Sequence, residues 1–505
     1  MMSYIKNLGN QITARLLIPF MKKPIFLPIT FIFSLFVTQS CFGEDLITAY
    51  NQALQSDPTF KSSEAQWLQN QQLLPISRAV LLPTISSSAG LNRSSIKQNI
   101  NEQETDFFQN NKQLSLNASQ PIFDYASWAG LKNAQALVKQ ARANYNAARQ
   151  NLMIRVATAY LAVLQAYDTW VATKAQKESL EKQLSQTRAQ YRVGVVPITN
   201  VEQVMASYDA IVAQEIGNKV AIADNLEQLR AITGKFYTTV SGIQKNIPLV
   251  SPMPANINTW VEIAKKQNYT LQAANYGAIA ARENVAVQRA GHFPTITATG
   301  GYSYDHESAA LSGVSNEPKP NTNRTATMGV NVNLPIFQGG LVTAQTRQAS
   351  YAYASTSAQT EYTYRNTLTQ ARESYLAVVS GISQIKADNQ SVISNQVSLN
   401  STQAGYLVGN NTIVDVLNQE SNLYSAKTAY IVAQYNYLLN ILNLKQAAGT
   451  LSDADLARIN TWLNYKINLS EYNFNNPNNS ITSTDSNTAA VYTKPHPAKH
   501  ARKKA

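Results

Sequence analysis

The chain is written twice. LPTISSSAGL from Leu82 returns as FPTITATGGY from Phe293, and QPIFD from Gln120 returns as LPIFQ from Leu334. YRVGVVPITNV from Tyr191 returns as YLVGNNTIVDV from Tyr406, and LRAITG ending at Gly234 returns as KQAAGT around Gly449. The four intervals run from 211 to 215 residues and keep one order, which defines a duplicated unit of about 210 residues. The expected division is 44–255 and 256–465. Each unit reads as a short helix (44–74; 256–290), two strands around a polar loop, a very long helix, a glycine turn and a returning helix.

The strands are expected near 83–92 and 113–122, then near 294–304 and 327–336. They alternate at period two. Ile85, Ala89 and Leu91 oppose Thr84, Ser86, Ser88 and Asn92; Leu114, Leu116 and Ala118 oppose Ser115, Asn117 and Ser119. In the second unit Ile296, Ala298, Tyr302 and Tyr304 oppose Thr295, Thr297 and Thr299, and Met328, Val330, Val332 and Leu334 oppose Gly329, Asn331 and Asn333. One face is apolar and the other is small and neutral-polar. A half-buried sheet on a soluble core would show such alternation once; four such strands point to a membrane barrel with a wet lumen. Four strands cannot close in lipid, where an open edge leaves backbone groups unpaired at several kcal/mol each. A barrel must be shared between subunits, and three copies would bring twelve strands.

The helical stretches carry no proline for 75 residues between Pro121 and Pro197, and for 141 between Pro335 and Pro477. A helix over about 126–192 would be about 100 Å long. Leu152, Val156, Ala159, Val163, Ala166 and Trp170 recur at heptad spacing, continued by Leu180, Leu184, Thr187 and Tyr191; Leu423, Ala426, Tyr430, Ala433 and Tyr437 do the same in the second unit. These stripes read as packing seams. The turns are Val193-Gly194-Val195-Val196-Pro197 and Val408-Gly409-Asn410-Asn411, with Thr199 and Thr412 as expected N-caps of the returning helices.

Composition enters through its distribution. The formal charge is +12. The basic excess sits in residues 1–43 and 492–505, neither of which holds an acid, so the body is nearly balanced and a nucleic-acid partner loses its support. Residues 466–505 read as a disordered basic tail. Met21-Lys22-Lys23, the apolar stretch 24–37 and Cys41-Phe42-Gly43 read as a signal peptide over 1–43, with Met21 an alternative start and a lipidated Cys41 the rival reading. One Cys and four His exclude a disulfide framework and a Cys-based zinc site. No Walker A, GxSxG, HExxH or GxGxxG pattern is present, so no catalytic residue, cofactor or metal ligand is nominated.

The paired Pro121-Ile122-Phe123 and Pro335-Ile336-Phe337 corners, Gln338-Gly339-Gly340, the two tip motifs and LEQLRAITG resemble the TolC-like outer-membrane efflux and secretion channel family over roughly 44–465. The resemblance implies an α+β, mostly helical fold. It implies a homotrimer whose twelve-strand β-barrel in the outer membrane of a Gram-negative bacterium continues as an α-helical tunnel into the periplasm. It implies a passive conduit, not an enzyme. It also implies docking through the tips, at Gly194, Val195, Gly409 and Asn410, to a periplasmic adaptor and an inner-membrane pump of RND or ABC type. In that family an acidic ring narrows the periplasmic mouth and an Arg–Asp link holds adjacent tips. On this sequence the ring keeps Asp415, while its second acidic position is Asn418. The Arg position is Asn411 and the Asp position is Asn200; Tyr406 and Thr199 match. A neutral latch and a less negative constriction are therefore expected. Asp415 reads either as a ring whose like charges raise its pKa or as a solvated carboxylate at a helix start. The rival function is a non-conducting trimeric coiled-coil scaffold anchored by a barrel. Such a stalk does not require two strand pairs that each feed matched helix hairpins.

Overall fold

The computed structural model describes residues 44–100, 103–244, 247–311 and 320–472. The expected signal peptide, Cys41 and the tail beyond residue 472 lie outside them.

The segment read as one helix over 44–74 is three: α1 (Leu46–Ser56), α2 (Pro58–Gln71) and α3 (Leu73–Ala79). Asp57 causes the first break. It ends α1 with an extended backbone, places Pro58 in the first turn of α2, and accepts from the Phe60 N–H at 2.6 Å. Strands β1 (Thr84–Ile100) and β2 (Gln103–Phe123) follow, then α4 (Tyr125–Arg192, 68 residues) and α5 (Ile198–Thr233). A short strand β3 (Thr239–Ile243) leads into the second half. There α6 (Ile257–Gln267) and α7 (Tyr269–Arg289) are separated by Asn268, which caps α7 through the Leu271 N–H at 2.9 Å. Next come β4 (Thr295–Leu311), β5 (Asn321–Asn333), α8 (Leu341–Leu407, 67 residues) and α9 (Ile413–Ala447). The described chain closes with α10 (Asp453–Asn460), β6 (Leu463–Asn468) and a 3-10 turn ending at Tyr472. Residues 466–472, read above as the start of the tail, are thus ordered. Leu469 and Tyr472 are buried, and Tyr472 meets the Trp170 ring edge-on at 5.9 Å.

The four long strands form one antiparallel sheet in the order β1-β2-β4-β5. They run past the expected ends because backbone pairing continues where side-chain alternation stops: Arg93 still faces Asn110 and Lys112 still faces His306. A second sheet, which the sequence reading did not foresee, pairs β3 with β6.

The main core lies midway along the long helices. Leu152, Val156, Leu161 and Leu164 of α4, Ile222, Leu226 and Leu229 of α5, and Leu438 and Leu442 of α9 meet Leu46 of α1, Val240 of β3 and Ile467 of β6. Fully burying each such aliphatic side chain contributes roughly 1.5–3 kcal/mol. Tyr160 knits the small sheet to this core: its hydroxyl accepts from the Ser241 N–H and lies 2.9 Å from the Glu44 carbonyl. The expected seam residues Leu152, Val156, Ala159, Val163, Trp170, Leu180, Leu184 and Thr187 are buried, whereas Tyr191 at the tip is exposed.

Candidate functional site: a two-faced sheet and the hairpin tips

Residues directly paired across an antiparallel ladder share a face. One face of the sheet therefore carries the rows Ile85–Ala118–Gly300–Met328, Ser87–Leu116–Tyr302–Ala326 and Ala89–Leu114–Tyr304–Arg324, with Ala298 beside Val330 and Ile296 beside Val332 below them. The other carries Thr84–Ser119–Thr299–Gly329, Ser86–Asn117–Gly301–Thr327 and Ser88–Ser115–Ser303–Thr325, where the Ser88 and Ser115 hydroxyls lie 2.7 Å apart. The apolar face is open: Met328 is 98% and Val330 70% exposed. From Ile296 to Tyr304 it spans about 26 Å of strand, which at a tilt of about 40° covers about 20 Å of height, most of a lipid-facing band. Among the described residues, the outer edges of β1 and β5 have no strand beside them. No helix among the described residues is long and apolar enough to cross a membrane.

A second uncovered surface runs down α8. Tyr351, Tyr362, Leu376, Val379, Ile393 and Val397 are all exposed and fall on one heptad stripe. On α5, Ile216 and Val220 are likewise exposed.

At the far end each long helix turns through a glycine in the left-handed region, Gly194 at φ 79° and Gly409 at φ 82°. The turns are built alike. The Gly194 N–H donates to the Tyr191 carbonyl at 2.9 Å and the Val195 N–H to that of Gln190 at 2.9 Å; Gly409 and Asn410 repeat this toward Tyr406 (3.1 Å) and Gly405 (2.8 Å). Val195, Gly194, Gly409 and Asn410 are all exposed.

The expected caps separate here. Thr412 caps α9 in a full capping box: its hydroxyl accepts from the Asp415 N–H at 3.2 Å, and an Asp415 carboxylate oxygen accepts from the Thr412 N–H at 2.8 Å and from the Thr412 hydroxyl at 2.7 Å. Thr199 does not cap α5. That helix already begins at Ile198 after Pro197, with no side-chain cap bond, so Thr199 is a second-position residue. With Pro197 at the N-cap, the helix starts two residues earlier than a threonine-based reading allows.

Of the other positions expected to form a gate, Asn418 is exposed and Asn200 and Asn411 are half-buried. Asn411 packs over Gly405, where an added Cβ would lie 3.0 Å from its Oδ1. Tyr406 reaches the other tip, its hydroxyl 3.5 Å from Gln190 Oε1. Among the described residues no hydrogen bond joins Asn200 to Asn411 within the chain. Asp415 is held below the usual aspartate range by the Thr412 backbone and side-chain hydrogen bonds. Within one chain this is the helix-start role. Sequence reading missed Gln190 and Gly405, which carry the tip contacts, and Glu420, which is buried at 2% exposure. Glu420 was legible as the heptad partner of Ile413, Val416 and Leu423.

A sheet with one apolar and one hydroxylated face, continued by long helices of about 100 Å, defines a class: an outer-membrane channel protein. The comparisons fix the family. The model of the outer membrane efflux protein family matches residues 49–235 and 260–450, and the chain belongs to that family. It is 33% identical over 431 residues to the outer membrane protein TolC of Vibrio cholerae, covering 85% of this chain and 95% of that protein. It is 28% identical over 438 residues to the alkaline protease secretion protein AprF of Pseudomonas aeruginosa, covering 84% and 88%. Among solved structures, the outer membrane protein VceC from Vibrio cholerae superposes with a TM-score of 0.68 at 21% identity, covering 80% of this chain and 96% of that one. As a member of that family the chain is an outer-membrane channel protein for efflux or secretion.

Proposed function

We propose that three copies of the chain join their four-stranded sheets into a twelve-strand barrel and their helices into one tunnel. In this reading the assembly is the passive exit duct of an efflux or type I secretion system, opened at its periplasmic tips by an adaptor and an inner-membrane pump. The observation that carries this reading is the sheet itself. An apolar face exposed on every strand, backed by a face of Ser, Thr, Asn and Gly, suits lipid on the first and water on the second. The unpaired edges of β1 and β5 and the uncovered stripe on α8 support sharing between copies, since each is half of an interface. We keep the division at 255/256 as the boundary of the two repeats. Cysteines placed near Ser88 on β1 and Thr325 on β5 should cross-link copies into a trimer on oxidation; a product that never exceeds a dimer would count against the barrel.

The tips are proposed as the gate, with Asp415 and Asn418 lining the mouth and Asn411, Asn200, Thr199 and Tyr406 forming a neutral latch between neighbours. Gly194, Val195, Gly409 and Asn410 are proposed as the adaptor-docking loops; their exposure and fixed turns suit docking. Installing charges with Asn411→Arg and Asn200→Asp should strengthen the latch and lower single-channel conductance in planar bilayers. Unchanged conductance in a folded double variant would remove the latch from these positions.

A further inference from the structure

The two tip hairpins are held by a small apolar cluster: Leu184, Val201, Val204, Leu399, Ile413, Val416 and Leu423. On α9 the buried positions run Ile413, Val416, Glu420 and Leu423, one stripe at heptad spacing. A carboxylate thus occupies a core position two turns inside the tip. Among the described residues its Oε1 has no hydrogen-bond partner, and the Ser179 hydroxyl of α4 is the polar side chain that acts on it across the seam.

The buried carboxylate of the first hairpin is treated differently. Glu215 of α5 is paired with Lys177 of α4 at 2.9 Å and with Lys219 at 3.7 Å. Around Glu420 the charged and titratable groups are few. Lys427, one heptad along α9, attracts it without forming an ion pair and instead lies 4.5 Å over the Tyr424 ring. From α4, Glu178 acts on Tyr424. The portions of α5 and α8 in the cluster contribute Val201, Val204, Met205 and Tyr208, and Val392, Leu399 and Tyr406, none of them a carboxylate or an amine. An unpaired carboxylate at such a site is strongly destabilising when ionised.

We propose that Glu420 is a proton-operated pin of the tips: neutral, it lets α9 seat against α4; ionised, it loosens that seam and favours the open mouth. The proposal rests on the channel reading given above. Burial holds the Glu420 carboxyl above its ordinary value of 4.5, partly offset by the Ser179 hydrogen bond and Lys427. The folded value exceeds the unfolded one. The seam's contribution is therefore whole below 4.5 and is lost as pH rises through the folded value. Asp415, shifted the opposite way by its capping box, stays ionised across that window and does not mimic the effect.

The test compares the full-length assembly with its Glu420→Gln variant in planar bilayers, and follows hydrogen exchange of residues 413–424 in both. Wild-type conductance should fall several-fold between about pH 8 and about pH 5, while the glutamine variant stays low and flat. Exchange protection should rise with acid in the wild type and be high throughout in the variant. A variant that titrates like the wild type overturns the pin. So does wild-type protection that is constant over this range, which decides the matter even if the variant fails to fold. Absence of conductance in both proteins would instead count against the channel, and exchange would still judge Glu420.

Discussion

Asp415 shows how a single side chain can announce its local role through its spacing alone. Its spacing from Thr412 is a capping signature, and the box forms, so Asp415→Ala should cost about 1 kcal/mol of tip stability, measurable as earlier melting of the tip by hydrogen exchange. In bilayers the same change should weaken block by multivalent cations applied to the periplasmic side. Asp168 was not legible at all. It lies on α4 facing α9, and only the fold brings the Tyr435 hydroxyl to 2.6 Å and that of Tyr465 to 3.4 Å. Burial raises its carboxyl above the usual 3.8, against the pull of both hydroxyls. Its folded value therefore exceeds the unfolded one, and its contribution is complete below 3.8 and fades as pH climbs through the folded value. Tyr435→Phe should destabilise the protein by about 1–3 kcal/mol near neutral pH. The deficit should shrink in acid, where the carboxyl is neutral; denaturant unfolding at two pH values checks this.

At the scale of elements, proline spacing and heptads located the long helices closely: α4 was expected at 126–192 and spans Tyr125–Arg192. That success reflects two local signals that agree, the absence of breakers and a continuous apolar seam. The short helices were misread because their breaks are made by polar caps. Asp57 and Asn268 stand 211 residues apart, the repeat interval itself. Each also bonds a long helix, Asp57 to Arg155 of α4 at 2.8 Å and Asn268 to the Ala447 carbonyl of α9 at 3.0 Å. Asp57→Ala should therefore lose about 1 kcal/mol from the cap alone and more from the released Arg155, read as a lower unfolding midpoint. The β3–β6 sheet escaped notice because its strands are five and six residues long and 220 residues apart, with no turn signal between them.

Across the whole molecule, the faces of the sheet were legible because alternation survives without knowing which strand pairs with which. The strand order was not, since β2 meets β4 and not its sequence neighbour β3. The uncovered α8 stripe makes a further prediction: Ile393→Glu with Val397→Glu should dissociate the proposed trimer without unfolding the chain, seen as monomer by sedimentation in detergent with helical content retained.

The β2–β4 pairing has a consequence for biogenesis. Ser119 lies opposite Thr299, so the ladder joining the two halves cannot form until nearly the entire stretch between them has been made and folded. Closing so wide a chain interval is entropically slow. The helical hairpins, whose contacts are local, have time to condense first and to bring the distant strands side by side. The rods would thus act as the jig on which the sheet is assembled, and inserting a flexible segment into α4 should delay completion of the proposed barrel far more than it lowers final stability.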